Sequence, residues 1–140
     1  MSKQNIGTCV LLINHDGKVL LGKRKNAYKA GTYGLPGGRI ELNEPMAQAV
    51  HREVLEETGL DIPDLDYVGV VRENQGDFDF IHFVFKKEVG DVTAELCEPD
   101  KCESWEWLDT SFNSEEVLEG HNAAIELFLE KSKLVDLTRE

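Results

Sequence analysis

The sequence predicts an α/β protein: an α/β/α sandwich whose mixed sheet lies between one helix at 45–58 and a second near the C-terminus. Three observations carry this. Apolar residues recur at helical spacing between Pro45 and Gly59. Short strand patterns stand on both sides of that helix, at 7–13, 18–24, 67–71, 78–85 and 103–108. A second helical pattern runs from Ser114 to about Lys131. Amphipathic helices so spaced cover opposite faces of one sheet; crossover rules permit the arrangement without fixing the strand order.

The first strand, GTCVLLI, is almost wholly apolar and reads as buried. Asn14-His15-Asp16-Gly17 is a hairpin turn, Asp-Gly supplying the positive φ. The return strand ends in Lys23, Arg24 and Lys25, and residues 26–31 form a loop. Tyr33-Gly34 begins a short strand that leads into Leu35-Pro36-Gly37-Gly38, and 39–42 continues extended. The helix that follows has Pro45 in its first turn and Glu44 at the positive end of its dipole. Its apolar stripe is Met46, Ala47, Val50 and Val54, and Thr58-Gly59 stops it. Residues 61–66 turn, 67–71 form a strand, 73–77 turn again, and 78–85 form the next strand. His82 reads as a packed strand residue; Phe80, Phe83 and Phe85 read as core, one of them free to face a pocket. An acidic loop at 90–102 precedes a last strand, ESWEWL, and the C-terminal helix packs through Ala123, Ala124, Leu127 and Phe128.

With 140 residues, 41% of them hydrophobic and only four prolines, the chain suits a single domain, 1–140, with a real core. Its net charge of −12 argues against nucleic-acid strands as partners, because phosphate backbones are bound by basic surfaces. A small polyphosphate remains compatible if cations mediate. No run of eighteen apolar residues occurs and 1–5 lacks a signal-peptide core, so a cytoplasmic chain without a membrane partner is expected. Cys9, Cys97 and Cys102 show no metal-binding doublet and are expected as reduced thiols.

Chemistry concentrates at the end of the first helix. At about 100° per residue, Glu53 and Glu57 stand almost above one another and Glu56 flanks them. Such carboxylates repel one another, and a hard divalent cation, magnesium or manganese, removes that cost. Arg52 points away from the aligned pair and is expected to hold Glu44 or Glu56 through a bidentate contact, which makes Glu44 a scaffold residue. A glutamate-rich helix end is ordinarily a solvated face, but the spacing around this one is specific. It runs Gly38, five residues, Glu44, seven residues, Arg52-Glu53-Val54, one residue, Glu56-Glu57, one residue, Gly59-Leu60.

This pattern, at 38–60, resembles the signature box of the nudix hydrolases (MutT-type) without a departure. The resemblance implies the α/β/α fold and Mg2+, with Mn2+ as substitute, held by Glu53, Glu56, Glu57 and a carbonyl of the Gly37-Gly38 pair. It also implies cleavage of a phosphoanhydride in a nucleoside diphosphate linked to a further group, with Arg24 against the nucleotide. The stretches VLLGKRK and EPDKCESWEW are similar to one subgroup, the nucleoside triphosphate diphosphatases that include the human thiopurine- and oxidised-guanine-nucleotide hydrolase. A fourth carboxylate is then expected near 98–103, Glu103 first, with Glu98 and Asp100 as rivals. The expected activity is release of pyrophosphate from (deoxy)nucleoside triphosphates, with ADP-ribose or dinucleoside polyphosphates as alternative substrates. A nucleotide sensor without turnover fits less well, because the box is intact. Homodimers are common among similar proteins.

Overall fold

The computed structural model describes residues 3–26, 29–74, 76–112 and 114–138. Strand β1 (Lys3–Ile13) is the centre of the sheet. It pairs with β2 (Val19–Arg24) through the Asn14–Gly17 hairpin, antiparallel, and with β5 (Phe78–Glu88) in parallel. The hairpin closes on the Asn14 side chain, whose Oδ1 accepts the N–H groups of Asp16 and Lys18, and Gly17 takes φ 76°. Beyond β2 lies the two-residue β3 (Tyr33–Gly34), and β6 (Cys102–Leu108) also pairs with β2. Beyond β5 lie β4 (Asp66–Asn74), antiparallel, and β7 (Leu134–Thr138), parallel to β4. The sheet is therefore mixed, in the order β3-β2-β1-β5-β4-β7, with β6 on β2.

Alternation along β1 divides the core between two layers. Val10 and Leu12 face helix α1 (Met46–Thr58) and pack with Leu20, Val50, Val54 and Phe85. Cys9, Leu11 and Ile13 face helix α2 (Glu119–Leu129) and pack with Val71, Val84, Ala124 and Leu127. Each large aliphatic side chain removed from water in this way contributes about 1.5–3 kcal/mol. The two helices thus cover opposite faces, as the sequence predicts. Among the described residues no helix is long and apolar enough to cross a membrane.

Several boundaries differ from expectation. In α1 the buried small residue is Ala49, whereas Ala47 is exposed, because the helix packs through Ala49, Val50, Val54 and Thr58. Segment 39–42 does not stay extended: Arg39 makes a bridge to Gly7, and the chain then turns at Leu42-Asn43, with Asn43 at φ 66°. Strand β4 runs on through Glu73, which was expected in a turn; the pairing Glu73↔Phe80 and the Arg72–Asp79 ion pair extend the ladder. The C-terminal helix does not start at Ser114. A single 3-10 turn (Ser114–Glu116) is followed by Val117 and Leu118, which lie beside β3, the Leu118 N–H donating to the Tyr33 carbonyl. Nor is β6 the last strand, since β7 follows α2.

Candidate active site

The segment from Pro36 to Gly38 lies along β1, where Val10 N–H donates to the Pro36 carbonyl and Thr8 N–H to the Gly38 carbonyl, each at 2.8 Å. That approach excludes side chains. Gly37 adopts φ 145°, and a Cβ there would stand 2.0 Å from the Thr8 carbonyl oxygen. A Cβ on Gly38 would stand 2.6 Å from the Glu53 carboxylate. The two bare glycines therefore seat the carboxylates of α1 directly against backbone. Gly37 N–H donates to Glu57 Oε1 at 2.8 Å, and Trp105 Nε1–H from β6 donates to the Glu57 carbonyl at 3.2 Å. Helix α1 ends one residue later, with Gly59 left-handed at φ 74° and its N–H on the Leu55 carbonyl.

Electrostatics divide the box glutamates sharply. Burial, reinforced by the charges of Glu53 and Glu98, pushes the Glu57 carboxyl up to about 8 against the pull of the Gly37 N–H. Burial also raises Glu53, although Arg52 opposes it. Arg52 grips Glu44 with a two-pronged contact, Nε to Oε2 at 2.6 Å and Nη2 to Oε1 at 2.9 Å, which brings Glu44 down to about 2. Its remaining nitrogen, Nη1, donates to Glu53 at 2.9 Å and to Glu56 at 3.3 Å. Glu56 is exposed. Arg52 thus meets the expected Glu44 and the rival Glu56 at once, and the fork goes to Glu44.

A cavity of about 300 Å³ opens beside Gly37, Gly38 and Glu57, with Arg24, Phe78, Phe80, Glu73, His82 and His121 among its walls. A smaller one of about 150 Å³ shares Arg24 and Glu57 and adds Glu98, Lys101 and Trp105. Arg24 and Glu57 therefore border both spaces. Of the three loop carboxylates, Glu98 lines a cavity beside Glu57 and contributes to the charge that raises it. Glu103 does not; in the β2–β6 ladder Lys23 pairs with Ser104 and Arg24 with Cys102, so Glu103 is the extra residue of a bulge and turns to Lys23 Nζ at 3.5 Å. Asp100 offers its carbonyl to the Asn26 amide.

Glu73 and His121 escaped sequence reasoning. Phe78, Phe80 and His82 share one face of β5 by period-two alternation and their rings stack in succession, Phe80 on His82 at 4.3 Å. His82, read as a packed strand residue, is buried and also belongs to the cavity wall. Cys9, His82 and His121 are, among the described residues, the one group of possible metal ligands within 4.8 Å of one another. They do not fit a metal. Leu35 N–H occupies the Nδ1 lone pair of His121 at 2.8 Å, leaving the proton of the neutral ring on Nε2, and burial pushes the Cys9 thiol far up. The carboxylate oxygens of Glu53, Glu57 and Glu98 suit a hard divalent cation by donor type, although among the described residues they are not drawn within 4.8 Å of one another. The set is an excess of negative charge in which the half-buried Glu57 accepts a backbone N–H rather than an arginine.

Comparison with known proteins gives a consistent family. The NUDIX domain profile matches residues 3–127. Over 104 residues, 71% of this chain and 64% of the relative, it is 33% identical to an oxidized purine nucleoside triphosphate hydrolase of Danio rerio. Over 49 residues, 35% of this chain and 29% of the relative, it is 51% identical to an ADP-ribose pyrophosphatase of Methanocaldococcus jannaschii. The matched stretch spans less than two thirds of either relative. Among solved structures, a MutT NUDIX hydrolase from Burkholderia pseudomallei superposes with a TM-score of 0.80 at 28% identity, covering 89% of this chain and 98% of that one.

Proposed function

The chain belongs to the NUDIX family, hydrolases of pyrophosphate bonds, and on that premise we propose that it releases pyrophosphate from (deoxy)nucleoside triphosphates, oxidised or modified purine nucleotides among them. The observation that carries this is the Glu57 carboxyl, raised to about 8 on the wall of a cavity that also holds an arginine and stacked aromatic rings. A triphosphate matches that composition: its phosphates need charge compensation, and its base needs a flat apolar wall.

Members of the family use divalent cations; here Mg2+, with Mn2+ as substitute, would be held by Glu53, Glu57 and Glu56 with the Gly37 carbonyl. When bound, the cation supplies charge neutralisation on the phosphates and a water of lowered pKa. The protein's own groups do the rest. Gly37 N–H fixes the orientation of Glu57, and the glycine pair leaves room for phosphate oxygens against the backbone. Arg52 locks Glu44 and thereby the approach to the helix, while its Nη1 steadies Glu53. Glu98, beside Glu57, takes the part of the fourth carboxylate in preference to Glu103 or Asp100. Arg24, on both cavity walls, binds the nucleotide phosphates. The catalytic unit is the single domain 1–140, with its box at 38–60.

A second reading, cleavage of ADP-ribose or a dinucleoside polyphosphate, has support from the 51% identity to the archaeal ADP-ribose pyrophosphatase across the matched segment. A panel of nucleoside triphosphates, ADP-ribose and dinucleoside polyphosphates, with Mg2+ and with Mn2+, separates the two by chromatographic identification of products. Pyrophosphate plus a nucleoside monophosphate supports the first. AMP plus ribose 5-phosphate from ADP-ribose, with the triphosphates untouched, replaces it with the second.

A further inference from the structure

We propose that the cavity between the end of α2 and the start of β4 binds a small anionic amphiphile, an acid group carried on an apolar or aromatic body. The site is separate from the box, whose chemistry makes no use of this region.

The cavity measures about 480 Å³, more than either space beside Glu57 and within the range of small-molecule sites. Its floor is apolar, with Tyr67 and Val68 from β4 and Phe128 and Leu129 from the last turn of α2. Tyr67 packs edge-on against Phe85 and still leaves 54% of itself in water, and Leu129 leaves 52%. Its rim is basic, although the chain carries a net charge of −12. Lys86 from β5 joins Lys131 and Lys133 from the turn after α2, with Ser132 between them. Among the described residues no carboxylate lines the space; Asp66, opposite Lys86 in the ladder, and Glu130, beside Lys131, are not part of its wall. Nor, among the described residues, does any of the three ammonium groups have an ion-pair partner. Lys86 Nζ instead stands 6.0 Å from the centre of the Phe128 ring.

Two departures from regular geometry build this wall. In the β4–β5 ladder Tyr67 pairs with Phe85 and Gly69 with Val84, so Val68 is the extra residue of a bulge. A bulge re-aims the side chains around it, a feature that recurs beside functional sites. Helix α2 then closes with Ser132 N–H on the Leu127 carbonyl and Lys131 N–H on the Phe128 carbonyl. That closure favours glycine at its left-handed position, yet Lys131 holds it at φ 54°. The turn is pinned against β4. Val70 N–H donates to the Lys133 carbonyl at 3.0 Å, and a Cβ on Gly69 would stand 2.6 Å from the same oxygen. Cations near a helix C-terminus complement its dipole, which accounts for the sign of Lys131 and Lys133. It does not account for Lys86, which comes from a strand, nor for a lysine where glycine costs less. A bound anion accounts for all three. An ammonium is a point charge without the planar fork of arginine, so the site selects charge beside apolar surface rather than one acid geometry.

Fluorescence titration with 8-anilinonaphthalene-1-sulfonate and with its uncharged parent, N-phenyl-1-naphthylamine, tests this in the full chain. The sulfonate is expected to bind saturably, at least ~10-fold more tightly than the parent, and to be displaced by decanoate. In Lys131→Glu/Lys133→Glu, with melting as the check on folding, sulfonate affinity is expected to fall at least ~10-fold while the uncharged probe is unaffected. Should that variant not fold, Lys131→Gly decides: it relieves the left-handed backbone and is expected to weaken the sulfonate ~3-fold at an unreduced Tm. Equal binding of sulfonate and parent overturns the proposal, as does failure of decanoate to compete. Unchanged sulfonate affinity in the folded variants also overturns it and moves the probe to the Arg24 cavity. So does a dimer that excludes the probe and is dissolved by the double variant, which would make this face a contact between copies of the chain.

Discussion

The two ends of helix α1 carry the same side chain in opposite electrostatic states. Before its first turn, Glu44 is clasped by the Arg52 fork and held at about 2. In its last turn, Glu57 is pushed to about 8 by burial, with the charges of Glu53 and Glu98 adding to it and the Gly37 N–H donating to its Oε1. The difference teaches what each is for. A carboxylate with both oxygens taken by a guanidinium fork, as in Glu44, suits the proposed scaffold role. On the proposed reading, a carboxylate pushed up by burial, as Glu57 is, would be stabilised by a divalent cation, which is the part assigned to that end of the helix.

The largest effect that follows lies at Glu57. Glu57→Gln is expected to lower turnover at least ~100-fold while far-ultraviolet circular dichroism stays unchanged, because a metal ligand becomes a neutral amide without loss of the core. Activity near wild type at saturating Mg2+ would erase the contrast between the two ends. Glu98→Gln comes next, with kcat expected to fall ~10-fold and KM little changed. Glu103→Gln and Asp100→Asn should stay within a few-fold, since neither side chain lines either of the two cavities that Glu57 borders; sensitivity at Glu103 instead would reverse the assignment. At the other end of the helix, Arg52→Met leaves Glu44 without its fork. The expected result is a lowered Tm whether or not Mg2+ is present, with Glu44→Gln in the same background restoring part of it.

Much of this was legible in the sequence because it is local. Helical spacing, the glycine stop at Gly59 and the box pattern all follow from neighbours in the chain, and α1 spans Met46–Thr58 as that pattern requires. What escaped depends on pairing between distant segments. Glu73 sits in a polar stretch that reads as a turn; only the register with Phe80 makes it buried. The resemblance put Glu103 first as the fourth carboxylate; a one-residue bulge against β2 turns its side chain toward Lys23, while Glu98, in an irregular loop, lines a cavity with Glu57, and neither position is visible from neighbours in the chain. The late start of α2 has the same origin, since Val117 and Leu118 are captured beside β3 before helix can form.

The central claim, that burial of Glu57 is relieved by a divalent cation, is tested most directly by Tm as a function of pH with and without Mg2+. The folded-state pKa is raised from 4.5 to about 8, so between those values the folded protein binds more protons than the unfolded chain and stability falls as pH rises. Without metal, Tm is expected to fall from pH 5 to pH 8 and to level off above that. With Mg2+ the decline should be largely abolished, and in Glu57→Gln both the decline and most of its rescue should disappear. A metal-free Tm in the wild type that stays flat or rises over this range, or a Mg2+ effect equally large in Glu57→Gln, would contradict the account.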